Sequence, residues 1–77
     1  MSTILLASVS AAAIALYGDE SSTSLMAIED PITKVTGYRL HVCAGTETKY
    51  TYASLSEKGC LAVALYDLKA RARGHLV

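Results

Sequence analysis

The chain has no tryptophan, no phenylalanine and one proline, and its seven lysines and arginines balance seven aspartates and glutamates. Without those aromatics, a core must be assembled from aliphatics, alanine and the five tyrosines. Zero net charge argues against a nucleic-acid binder, which carries a basic excess. The five glycines are isolated, so there is no phosphate-cradling loop, and no serine sits in a Gly-x-Ser-x-Gly elbow. His41, Cys43 and Cys60 lack tight metal-ligand spacing, His41 reads as a partly exposed strand residue, and His75 reads as a tail residue. No metal, no cofactor and no catalytic constellation is expected. Long apolar runs are missing as well. Ile4–Tyr17 would form a helix of about 21 Å, short of the roughly 30 Å hydrocarbon core of a bilayer.

What is present fits one small domain of 77 residues. A chain this short buries only about 60% of its unfolded surface, so a disulfide, a partner or an oligomer often completes it. Two cysteines fit one disulfide in an exported protein or two buried thiols in a cytosolic one. Charge is unevenly placed: residues 1–36 hold Asp19, Glu20, Glu29 and Asp30 against Lys34, whereas residues 37–77 hold three acids against six bases. The N-terminal segment, residues 1–18, has three readings. It is a buried Ala-rich helix or strand, a weak export segment with an A-x-A form at Ala13-Ile14-Ala15, or a membrane anchor. No lysine or arginine precedes it.

The rest, residues 19–77, reads as α+β. Gly18–Ser24 is a polar linker, and Thr23 or Ser24 caps a short helix through Glu29 that Pro31 ends. From Tyr38 to Ala44 the alternation is that of a strand, with Tyr38, Leu40, Val42 and Ala44 on one face and Arg39, His41 and Cys43 on the other. A reversal at Ala44–Glu47 leads to a second strand that places Tyr50 and Tyr52 across from that apolar face. Ser54-Leu55-Ser56-Glu57 has the capping-box form. It opens an amphipathic helix to about Arg73, with Leu61, Leu65, Leu68 and Ala72 as its stripe, widened by Val63 and Ala64. Lys69, Arg71 and Arg73 suit the negative end of the helix dipole, and Gly74 supplies the stop. The expected order is N-terminal helix, short helix, β-hairpin and C-terminal amphipathic helix.

"EDPITKVTGYRLHVCAGT" followed by "SEKGCLAVALYDL" resembles the N-terminal lobe of phage-type lysozymes, the muramidase endolysins, over roughly residues 24–70. In that family an acidic helix end leads through a Gly-Tyr-type turn into a hairpin and a long helix. Gly37-Tyr38 and the Asp67-Leu68 pair stand where the pattern has them. The resemblance implies a disulfide between Cys43 and Cys60, since many exported members carry one cysteine in the hairpin and another in the helix. It also implies a signal-arrest-release character for residues 1–18. The groups that do the family's chemistry are missing. Leu25 stands at about the acid's position, Lys34 near that of the second carboxylate, and Leu40 near that of the hydroxyl. Glycoside hydrolysis needs a raised-pKa acid facing a second polar group across a cleft.

The expectation is therefore a non-catalytic, lysozyme-like phage or prophage pseudoenzyme that binds and modulates endolysin or holin at the inner membrane or in the periplasm. Its interaction surface is expected at Tyr38, Leu40, Tyr50, Tyr52, Leu61, Leu65 and Leu68, with weak inner-membrane association and homo-oligomer formation as further expectations. The alternative is a cytoplasmic phage-encoded inhibitor of a host defence or host enzyme, or a minor virion component. Residues 4–17 are then buried core or an oligomer interface, and both cysteines are reduced.

Overall fold

The computed structural model describes residues 3–74, with side chains from Leu5 onward, so His75 and the first two residues of the N-terminal segment lie outside the described part. The chain is α+β. Helix α1 (Thr3–Tyr17) is followed by strands β1 (Ser21–Glu29), β2 (Thr36–Ala44) and β3 (Glu47–Ser54), and helix α2 (Glu57–Ala72) closes the order. The strands form one antiparallel sheet in the order β1-β2-β3. Both helices lie on one side of it, making two layers.

The α+β class and the hairpin stand as the alternation implies. Leu40 and Val42 are fully buried, and they pair with Tyr52 and Tyr50 of β3. The hairpin turns at Gly45, whose φ of 63° at the first position of a two-residue loop suits glycine. One extra residue, Lys49, is accommodated by a bulge opposite Val42 and Cys43.

The short helix expected before Pro31 is a strand instead. Ser21–Glu29 pairs with β2 over nine positions, from Ser21 opposite Ala44 to Glu29 opposite Thr36. The Ser-Ser-Thr-Ser start competes poorly for helix, and α1 gives the inner side of this strand an apolar layer to face. Pro31 ends the strand rather than a helix. Asp30 accepts hydrogen bonds from Ile32 N–H (2.8 Å) and Thr33 N–H (3.1 Å), and Lys34 closes the turn in the left-handed region at φ 64°.

Helix α1 packs into the core. Val9 and Ala13 are fully buried in the same cluster as Leu40, Val42, Cys60, Leu61, Ala64 and Leu68, so α1 shares one core with the sheet and α2. No helix among the described residues is long and apolar enough to cross a membrane.

In α2 the cap is Ser56, two residues later than the expected capping box begins. Its Oγ accepts from Gly59 N–H at 3.0 Å. A Cβ on Gly59 would stand 2.7 Å from Ser56 Oγ and 2.8 Å from Ser54 Oγ, which accounts for the glycine. Leu61, Ala64 and Leu68 face the core as expected, whereas Val63 and Ala72 are exposed. The stop at Gly74 has φ 79°.

Candidate interaction surface

The seven residues expected to form an interaction surface are instead the contact between the two layers. Leu40, Leu61 and Leu68 have no exposed surface, and Tyr38, Tyr50, Tyr52 and Leu65 are half-buried against them. These side chains face inward, because α1 and α2 together cover the inner face of the sheet.

The tyrosines are pinned there by a polar network. Tyr52 OH donates to Asp67 Oδ2 at 2.5 Å, and Arg71 Nε donates to the same oxygen at 2.8 Å. The Arg71 guanidinium lies 4.2 Å from the Tyr50 ring centroid, a cation–π arrangement. Burial works against the Asp67 carboxylate, but the bonds from Tyr52 and Arg71 outweigh it and hold its pKa below the ordinary value. Burial first, then the hydrogen bond to Asp67, pushes the Tyr52 hydroxyl well above its usual range. The Tyr17 hydroxyl is pushed up to about 12 by burial and by its neighbour Tyr50. Tyr52 OH, Asp67 Oδ2 and Arg71 Nε are engaged with one another, so the cluster acts as a clamp between β3 and α2.

The two cysteines are free thiols, which corrects the expected disulfide. Cys60 lies under the inner face, its Sγ donating to Tyr52 O (3.3 Å) with Tyr38 O at 3.9 Å. Burial raises its pKa. Cys43 points from the other face of β2 and sits 3.7 Å from Thr48 Oγ1. Cys60 sits nearest Tyr52, whose β2 partner Leu40 is three residues from Cys43, about 10 Å at strand rise and on the opposite face, whereas a disulfide needs Cα atoms within about 7 Å.

The outer face of the sheet carries no helix. Register and pleat place Ser22, Ser24, Met26 and Ile28 of β1 there, beside Arg39, His41 and Cys43 of β2 and Thr51 and Ala53 of β3. One end is polar and internally bonded, with His41 Nδ1 and Thr51 Oγ1 3.2 Å apart. The other end is apolar: Met26, Ile28, Val35 and Leu55 are each at least 40% exposed.

That apolar end continues into an open groove of about 560 Å³ lined by Ile28, Glu29, Asp30, Pro31, Val35, Arg39 and Leu55, among others. Arg39 is half-buried and donates from Nη1 to the Tyr38 carbonyl at 3.3 Å; no carboxylate lies within ion-pair reach of it among the described residues. The Asp30 carboxyl is held below its ordinary pKa by the Thr33 and Ile32 N–H groups. Leu25, Lys34 and Leu40 lie apart from this groove: Leu25 on the inner face of β1, Lys34 in the turn, and Leu40 in the core. The groove was not legible in the sequence, because its lining comes from the ends of three strands and the Asp30–Val35 turn. No family model, curated protein or solved structure matches the chain.

Proposed function

We propose that the chain works by binding a protein partner rather than by catalysis, and that the groove beside Arg39 is where the partner docks. The observation that carries this is the combination of exposed apolar walls (Ile28, Val35 and Leu55) with a half-buried guanidinium that has no carboxylate partner among the described residues. The occupant is an extended segment that places an apolar side chain against those walls and a carboxylate on Arg39, which favours such planar acceptors.

The resemblance of residues 24–70 to a muramidase lobe supports the lysis machinery of a phage or prophage, endolysin or holin, as the partner, with the chain a pseudoenzyme that modulates it. The test is lysis timing in cells expressing a defined holin and endolysin pair. Co-expression of the chain should shift the onset of lysis, and Arg39→Glu should abolish the shift. An unchanged onset with the wild-type chain at equal expression would remove this partner.

A second reading draws on two features. Helix α1 lies in the core, and Cys43 and Cys60 are free thiols. Both support a phage-encoded inhibitor of a host enzyme or defence protein, working through the same groove. Under that reading lysis timing stays unchanged, and Arg39→Glu relieves inhibition of the host target.

A further inference from the structure

Strand β1 is an edge of the sheet, and it carries none of the usual devices that discourage pairing. It has no lysine, no proline and no bulge, and Glu29 is its one ionisable side chain. The opposite edge, β3, has Glu47, Lys49 and the bulge at Lys49. The hydrogen bonds flanking β1 set its parity: Asp30 N–H donates to Val35 O (3.0 Å), and Gly45 N–H donates to Glu20 O (3.2 Å). Even-numbered positions therefore bond β2, and the N–H and C=O groups of Thr23, Leu25, Ala27 and Glu29 point to the open edge.

We propose that this edge pairs antiparallel with β1 of a second copy of the chain, about a two-fold axis through Leu25, to give a continuous six-stranded sheet. Three observations select a second copy in this register. First, centring on Leu25 overlaps all nine residues of the strand, and with Glu29 opposite Ser21 no like charges meet. Second, the Ser21 hydroxyl is buried without a hydrogen-bond partner in the single chain, and in this register a turn of its side chain toward the edge meets the second copy's Glu29 carboxylate as an acceptor. Third, α1 covers only half of its own strand. Ser21, Thr23 and Leu25 are half-buried, with Ser10 Oγ 2.9 Å from Thr23 Oγ1, whereas Ala27 and Glu29 are bare. The two-fold axis carries the second copy's α1 over that bare half, so the helices are staggered instead of colliding. Ile14, one turn beyond Ser10 on the same flank of α1, is 44% exposed and meets the incoming chain.

The pairing shares Ile28 and Glu29 with the groove beside Arg39 but leaves Val35, Arg39 and Leu55 outside the contact, so its test is read separately from that of the function proposed above. The test is the solution mass of the full chain by light scattering across concentration, for wild type and Ala27→Pro. The Ala27 N–H points to the open edge, so proline removes an edge donor while sparing the ladder to β2. Wild type should have twice the single-chain mass, and Ala27→Pro the single-chain mass with an unchanged circular dichroism spectrum. A wild type of single-chain mass at every concentration would overturn the pairing, as would a folded Ala27→Pro variant that stays double. Should Ala27→Pro lose its fold, amide exchange in the wild type decides. Leu25 and Ala27 N–H groups that slow as concentration rises support pairing, and rapid exchange at all concentrations refutes it.

Discussion

Asp67 is placed where burial alone would discourage its charge, yet two donors keep it ionised below the ordinary carboxyl value of 3.8. A depressed folded-state pKa contributes stability above the unfolded value and loses it as pH falls through the folded one. Asp30, lowered by the Thr33 and Ile32 N–H groups, acts in the same direction. Melting temperature should therefore fall as pH drops below 3.8, and Asp67→Asn should flatten part of that slope. The tyrosines act at the other extreme. Tyr17 and Tyr52 ionise above the ordinary 10.0 in the folded chain, so stability should hold to that pH and decline above it, which phenolate absorbance alongside circular dichroism would follow. Tyr52→Phe should cost about 2 kcal/mol near neutrality, the worth of a hydrogen bond to a charged group, measured by urea denaturation. None of this clamp was legible in the sequence. Tyr52, Asp67 and Arg71 meet only because β3 and α2 pack together, and spacing along a chain does not show which elements do.

At the scale of elements, the hairpin and α2 could be read because Tyr38, Leu40 and Val42 alternate cleanly and Leu61, Leu65 and Leu68 recur at helical spacing. Strand β1 could not. Its Leu25-Met26-Ala27-Ile28 run is apolar on both faces, so neither period stands out, and Pro31 is an equally good stop for a strand or a helix. Pairing with β2 and cover from α1 decided the matter, a tertiary effect that local preference does not carry. Strand β2 explains why the expected disulfide does not form, since its parity sends Cys43 outward while Cys60 of α2 lies beneath the sheet. Lys34 marks the turn after β1 as a site of stored cost, because a non-glycine residue in the left-handed region loses about 1–2 kcal/mol. Lys34→Gly should raise stability by about 1 kcal/mol after glycine's own entropy cost, read from the denaturation midpoint.

For the molecule as a whole, two helices on one side of a three-stranded sheet leave the other side open, and the exposed chemistry gathers there. Composition identified the apolar residues but not which would be used up in closing the inner layer. Leu40, Leu61 and Leu68 are spent on the core, while Ile28, Val35 and Leu55 remain at the surface beside Arg39. Helix α1 belongs to that core, so deleting residues 1–18 should abolish cooperative thermal unfolding by uncovering the side on which Val9 and Ala13 pack. The direct test of the proposed docking groove is a backbone-amide NMR titration of the labelled chain with purified endolysin, the partner proposed above. Shifts should cluster at Ile28, Val35, Arg39 and Leu55, and Arg39→Glu should weaken binding about tenfold or more, about 1.4 kcal/mol. Binding that instead perturbs the α1 and α2 surface, and is untouched by Arg39→Glu, would contradict the groove as the site of function.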